Sequence, residues 1–320
     1  MTISLLYLAK PTYGGWVSFT AHLSLKYKYN ILKLGNRTEN RVRDFGYGAT
    51  YRNVSMDFLL EIPSSKIIIT AVDKHYREVI DLLYGASLVI HDPTEFKMNI
   101  PYDFFNIITI RHTVHQTLMD NGILNSFKKH PFYCFPKLQK RKSTAVSISR
   151  IDFDKNIDII LEANKILSEP INIYGKQNEL YVYHKLEKLG FKDHYKGRFD
   201  KTFEALNKIL AEAEFMVDMS SIKGDGGGTQ YTFLEAIYMG CVLVLNSKWT
   251  NVDNSIFNKN NCLIVDDAET LVSTLENSKK IENKYKLQGI IDNSKILLQA
   301  FILESDWREG NIYFDLDNHY

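Results

Sequence analysis

Residues 214–247, EFMVDMSSIKGDGGGTQYTFLEAIYMGCVLVLNS, constrain this chain more than any other stretch. A short apolar run ends at Ser220 and Ser221. A glycine-rich turn follows, then a helical segment carrying Glu235, a stop at Gly240 and a second apolar run. Period and punctuation together spell strand, loop, helix, strand, which is a βαβ unit. Gly226, Gly227 and Gly228 let backbone approach a ligand closely, and the start of the next helix directs free N–H groups at it. A diphosphate suits that arrangement.

The pattern recurs along the chain. Residues 2–9 (TISLLYLA) predict a buried strand that runs through Gly14 and Gly15 into an amphipathic helix ending near Leu25. This too suits an anion, although a tight βα connection that binds nothing fits the same residues. NILKLG (30–35), KIIITAV (66–72), SLVIHD (87–92) and NIITIR (106–111) predict further strands, with a helix around 74–84. The arginine-bearing segment 36–52, with its FGYG and Tyr51, has no clear period and reads as a functional or mobile loop.

A second series opens at Thr144 with strand TAVSISR, helix 156–167, strand INIYG (171–175) and a helix over 178–189. KGRF (196–199), helix 201–213, the 214–247 unit and strand NCLIVD (261–266) follow. A helical tract over 268–304 and a polar, aromatic tail with Trp307 end the chain. Two α/β series in 320 residues predict two domains, 1–142 and 143–300, with 301–320 a tail packing back on the first.

The net charge of +1 hides an asymmetry. Residues 1–142 hold 19 Lys/Arg against 11 Asp/Glu, and the remainder holds 20 against 27. The first half is therefore a candidate for meeting a polyanion, with solvated surface charge the alternative. From Phe127 to Lys142, the cations Lys128, Lys129, Lys137, Lys140, Arg141 and Lys142 interleave with Phe132, Tyr133 and Phe135. That suits nucleic-acid phosphates and stacked bases, while Pro131 and Pro136 suit an interdomain linker. No apolar run reaches 18 residues, and the first ten residues lack a basic leader. Cys134, Cys241 and Cys262 show no metal-ligand spacing, so a reducing, cytoplasmic setting is expected.

His91 falls at the carboxyl end of its strand, where open α/β sheets bind ligands. It suits a general base or a donor to a sugar hydroxyl, and a structural histidine equally. His112 and His115 lack a third ligand and read as polar loop residues, so no metal site is expected. Arg150 and Lys155, at a strand end and the following helix start, can neutralise a diphosphate. Asp152 and Asp154 between them read as helix-start acids in preference to a metal pair.

These motifs resemble those of retaining glycosyltransferases of the GT-B type, in the group with an E-x7-E-like motif. That group carries a G-G loop after the first strand, an R-x4-K pair opening the second domain, and a glycine-rich LEA…G motif near the end. Here Gly14-Gly15, Arg150…Lys155 in SRIDFDKNIDIILEA, and GDGGGTQYTFLEAIYMGCVLVL take those places in order, over roughly residues 1–270. The resemblance implies an α/β fold of two Rossmann-like domains facing across a cleft. It implies that Arg150 and Lys155 bind the donor diphosphate, with Glu235 on the ribose and His91 facing the reacting sugar. Gly226, Gly227, Gly228 and Thr229 would present N–H groups, and Gly175, Arg198 and Phe199 would border the nucleobase. The chain departs from the group at Gly227, eight residues before Glu235, where an acid is usual. Asp225 is the nearest acid, and Val242 replaces the usual proline.

A further resemblance, over short segments including YTFLE…G, is to the DNA α-glucosyltransferases of T-even bacteriophages, which glucosylate hydroxymethylated cytosine. Taken with the basic first half, it implies an enzyme using a UDP-sugar donor, needing no cofactor, and acting on hydroxymethylated bases in phage DNA. Lys128, Lys129, Lys140, Arg141 and Lys142 are the expected DNA contacts. The alternatives are a transferase for envelope or viral glycoconjugates working at a membrane surface, and a non-catalytic nucleotide-sugar or nucleic-acid binding protein. A nicotinamide-dependent enzyme is disfavoured because G-x-G-x-x-G is absent.

Overall fold

The computed structural model describes residues 2–10, 14–92, 95, 99–138, 144–198, 200, 202–221, 229–252 and 255–308. The chain divides into two compact units, one of Met1–Cys134 with Ala300–Tyr320 and one of Phe135–Gln299.

The first unit is built on an eight-stranded sheet. Its strands are β1 (Ser4–Leu8), β2 (Asn30–Leu34), β3 (Val42–Gly46), β4 (Ala49–Val54), β5 (Ile67–Val72), β6 (Ser87–Ile90), β7 (Asn106–Thr109) and β8 (Ser126–Phe127). They lie in the order β3-β4-β2-β1-β5-β6-β7-β8, and all neighbours are parallel except β3 with β4. The connections carry helices α1 (Gly15–Tyr27), α2 (Met56–Leu60), α3 (Arg77–Ile80) and α4 (His112–Asp120). Strands β1, β5 and β6 are buried at every position, as continuous apolar runs in a parallel sheet covered on both faces require. The strand order reverses between β1 and β5, a topological switch point.

Residues 36–52, expected as an aperiodic loop, instead hold the β3–β4 hairpin. Its tip places Tyr47 (φ 56°) and Gly48 (φ 78°) in the left-handed region that two-residue hairpin turns demand. The alternation was weak because β3 is an edge strand whose first three residues are exposed. His112 and His115, expected on a loop, lie in the first turns of α4, and His115 Nδ1 bonds Asn125 Oδ1 at 2.7 Å.

The segment after residue 300 is woven into this unit. Lys26 Nζ donates to Ile302 O at 2.8 Å and to Ser305 Oγ at 2.6 Å, Tyr29 donates to Trp307 O, and the Trp307 indole donates to Lys129 O at 3.1 Å. Trp307 is 1% exposed and meets Phe19 edge-on at 5.3 Å.

The second unit has a five-stranded parallel sheet of β9 (Thr144–Ile148), β10 (Asn172–Tyr174), β11 (Ala213–Asp218), β12 (Val242–Asn246) and β13 (Leu263–Val265), ordered β10-β9-β11-β12-β13. Its helices are α5 (Ile157–Asn164), α6 (Glu179–Tyr181), α7 (Phe191–His194), α8 (Phe203–Glu212), α9 (Tyr231–Tyr238), α10 (Ala268–Ser278) and α11 (Lys284–Leu303) as far as Gln299. A switch point again falls beside the first strand of the series, between β9 and β11. Ile160, Ile173, Phe191, Val217 and Leu271 belong to the buried cluster beneath the helices.

Candidate functional site

In the second unit, the expected donor residues converge on the carboxyl ends of β10, β9 and β11. Arg150 follows β9 by two residues, and a 3-10 turn over Phe153–Lys155 leads to α5. Asn156 sits between them at φ 47°, ψ 45°, a left-handed conformation that asparagine tolerates better than most residues. Its amide donates to Met219 O at 2.8 Å and to Ser221 Oγ at 2.9 Å, and Ser221 N–H donates to Asp154 O at 2.9 Å. Three hydrogen bonds therefore fasten the Arg150–Lys155 loop to the end of β11, where the glycine-rich segment begins.

Asp152 caps the 3-10 turn through Phe153 N–H and accepts from Asn178 Nδ2 at 2.8 Å. Arg150 pairs with Asp152 Oδ2 at 3.1 Å and Asp154 Oδ2 at 3.3 Å. The D-x-D pair thus serves as helix-start acids and as counter-charge to Arg150. The Arg150 side chain remains half exposed, so a stronger anion can draw its fork away. Among the described residues the Lys155 ammonium has no hydrogen-bond or ion-pair partner. Arg198 is exposed and follows Gly197, whose carbonyl accepts from Gly175 N–H at 3.1 Å.

Gly175 has a precise steric cause. At φ 146°, an added Cβ would sit 1.7 Å from Ser149 O, so only glycine lets β10 cross so close to the β9 end. Glu235 lies inside α9 and is 1% exposed, and Tyr231 one turn earlier has its phenol pushed well up by burial and by the Glu235 charge. Gln230 begins α9 without a side-chain cap. Thr229 beside it is buried. Asp225, Gly226, Gly227, Gly228 and Phe199 lie outside the described residues, as do Lys140, Arg141 and Lys142.

Asp218 stands in no motif of the sequence. It ends β11, is 2% exposed, accepts from Ser220 N–H at 2.8 Å and from the Ser220 hydroxyl, and keeps a buried Oδ2 without a hydrogen bond among the described residues. A lone aspartate at the end of a strand carries no sequence signal that separates it from a turn residue.

In the first unit, Gly14 (φ 140°) begins α1, and its carbonyl accepts from Val17 and Ser18 N–H. No described atom lies within 4 Å of a Cβ built on Gly14 or Gly15. His91 follows β6, is 6% exposed and packs edge-on against Phe19 at 4.9 Å. Its Nε2–H donates to Thr70 O at 2.8 Å, which fixes the tautomer. Burial pushes its pKa down to about 4, so it stays neutral and is a poor general base.

Glu95, which has no motif around it, is the unexpected member of this cluster. Its Oε1 accepts from the Trp16 indole at 3.1 Å and its Oε2 from His91 N–H at 2.9 Å, so it ties the start of α1 to the end of β6. Burial, then the Asp92 charge, push its pKa up to about 8.

Lys128 and Lys129 are already engaged. Lys128 Nζ donates to Asp306 O and lies over the Trp307 ring at 5.5 Å, and Lys129 pairs with Glu304. Among the described residues, no group of three or more His, Cys, Asp or Glu has metal-ligand geometry, and no helix is long and apolar enough to cross a membrane.

No family model and no curated protein matches the sequence. Solved structures do match the fold. HepE (Alr3699) of Anabaena in complex with UDP aligns with TM-score 0.65 and 11% identity, over 94% of this chain and 96% of that one. The chain has the GT-B fold. T4 α-glucosyltransferase (AGT) in complex with UDP gives TM-score 0.68 and 12% identity, over 94% and 96%. Sucrose-phosphate synthase from Thermosynechococcus elongatus gives 0.63 and 11%, over the same shares.

Proposed function

We propose that the protein is a glycosyltransferase that moves a sugar from a UDP-sugar to an acceptor hydroxyl with retention of configuration. The observation that carries this reading is the Arg150–Lys155 loop, hydrogen-bonded to the β11 end at the switch point of a GT-B second unit. In that frame Lys155 and Arg150 neutralise the diphosphate, Arg150 exchanging its two carboxylates for the more highly charged ligand. The start of α9, with Thr229, adds N–H donors, and buried Glu235 takes the ribose hydroxyls. The glycine start of α1 offers a further anion-binding helix end.

Cleavage of the sugar C1–O bond adds a negative charge to the two that the UDP-sugar diphosphate already carries, so fixed cations and N–H donors that meet the departing oxygen lower the barrier. Neutral His91, locked by Thr70, offers Nδ1 as an acceptor to a sugar hydroxyl. Gly175 and Arg198, beside the β9 end, border the nucleobase.

For the acceptor we favour hydroxymethylcytosine in DNA. The basic first half of the chain and the likeness to T-even DNA α-glucosyltransferases support it, as does AGT, an α-glucosyltransferase crystallised with UDP, among the fold neighbours. The base would be extruded to reach the site. Calorimetric titration with UDP tests the donor half: Lys155→Ala and Arg150→Ala are each expected to weaken binding about tenfold or more. Unchanged affinity in both variants would refute the assignment.

A further inference from the structure

We propose that the β3–β4 hairpin and the adjoining β2, through Lys33, Arg37, Arg41 and Arg43, form the surface that holds the phosphodiester backbone of duplex DNA. This rests on the DNA-acceptor reading and gives it a place on the molecule.

Over residues 33–52 there are five cations and two carboxylates, and both carboxylates are occupied. Glu39 Oε2 accepts from Arg43 at 2.7 Å and from Asn53 Nδ2 at 3.2 Å, and Asp44 Oδ1 accepts from Gly46 N–H at 3.2 Å. Arg37 and Arg41 are exposed and form no hydrogen bond or ion pair among the described residues. The fifth cation, Arg52, is the ladder partner of Leu32 and Val42, so it faces the other side of the sheet and lies over the Phe58 ring at 5.0 Å.

Lys33 is the most telling member. Its ammonium sits over Tyr7 at 5.6 Å and Tyr51 at 5.3 Å, with no hydrogen-bond or ion-pair partner among the described residues. Burial pushes its pKa down to about 8, which leaves it largely protonated at neutral pH. A backbone phosphate would supply the counter-charge that no described residue gives it.

The backbone adds to the charge. β3 is the outer strand of its sheet, so its outward N–H groups are unpaired by any described strand and add neutral donors to the guanidinium forks. Arg43, opposite Tyr51 in the ladder, shares a face with Lys33. The exposed remainder of the hairpin, Asn40 and Thr50 among it, is polar, and Val42 is its one exposed large apolar side chain. A membrane-seeking surface needs an apolar wedge that this hairpin lacks. Lys128 and Lys129, by contrast, are spent on the C-terminal segment.

The test compares wild type with Arg37→Glu/Arg41→Glu, whose side chains bond to nothing described and whose loss should leave the fold intact by circular dichroism. Binding to unmodified duplex DNA is measured across 50–200 mM salt, as is sugar transfer to hydroxymethylcytosine duplex and to the free nucleoside. The expected result is at least about tenfold weaker duplex binding, a log–log salt slope smaller by about two, and unchanged transfer to the nucleoside. Wild-type duplex binding that the variant retains with the same slope would overturn the hairpin assignment alone. Failure of the wild type to bind or modify duplex DNA would overturn the acceptor reading and the hairpin with it. Wild-type capture by phosphatidylglycerol vesicles in preference to duplex would do the same in favour of a membrane.

Discussion

Replacing Glu95 by Gln removes a buried proton-binding group from between α1 and β6 and should change how stability depends on pH. The carboxyl titrates at about 8 in the folded chain against 4.5 for the ordinary group, so between those values the folded state holds a proton that the unfolded state has lost. Stability from this group is therefore full below pH 4.5 and falls as pH rises toward 8. His91 acts in the opposite sense. Its folded pKa of about 4 lies below 6.5, so stability rises with pH across that window.

The two slopes offset one another between pH 4.5 and 6.5, and above 6.5 the Glu95 slope stands nearly alone. From pH 6.5 to 8 it amounts to roughly 1.5 kcal/mol, from about 1.4 kcal/mol per pH unit with the titration itself included. Glutamine can accept from only one of the two N–H donors that Glu95 serves, Trp16 Nε1–H and His91 N–H. The variant should thus be less stable at pH 6.5 by about 1–3 kcal/mol. That deficit should shrink by roughly 1.5 kcal/mol on going to pH 8. Urea denaturation followed by tryptophan fluorescence at pH 6.5, 7, 7.5 and 8 measures the gap. A gap constant with pH would show that Glu95 titrates in the ordinary carboxylate range and refute the reasoning.

Gly175→Ala should destabilise the second unit by about 3 kcal/mol or more, because its Cβ meets Ser149 O at 1.7 Å on a backbone with φ 146°; thermal melting reads the shift. Trp307→Ala should cost roughly 3–5 kcal/mol by emptying a fully buried site against Phe19 and Lys129 O. Hydrogen exchange at α1 should rise in that variant, and unchanged protection there would separate the C-terminal segment from the first unit. Asn156→Ala removes two hydrogen bonds to the β11 end and leaves alanine at φ 47°. It should cost about 2–4 kcal/mol and weaken UDP binding, read by melting and calorimetry.

Both α/β series were legible because buried parallel strands such as β1, β5 and β12 are continuous apolar runs, and the glycines between them mark forced turns. The Arg150–Lys155 spacing survives reading because a strand end and a helix start are both punctuated. The β3–β4 hairpin was not legible, since an exposed edge strand has little alternation and Tyr47 is not a residue that announces a left-handed turn. Glu95 and Asp218 were invisible for another reason. Their importance lies in what surrounds them after folding, and nothing in the neighbouring residues records a half-buried indole, a strand-end N–H or a carboxylate oxygen without a hydrogen bond among the described residues. Nor does the basic run at 127–142 announce the partners of Lys128 and Lys129, which come from about 175 residues away.

The most direct test of the central claim is UDP release from radiolabelled UDP-sugars in the presence of hydroxymethylcytosine DNA, with label followed into the acceptor. The wild type should form UDP and labelled product together, with Lys155→Ala and Arg150→Ala slowed by about 100-fold or more through loss of leaving-group stabilisation. UDP formation from no sugar donor, or equal rates in wild type and both variants, would contradict the account.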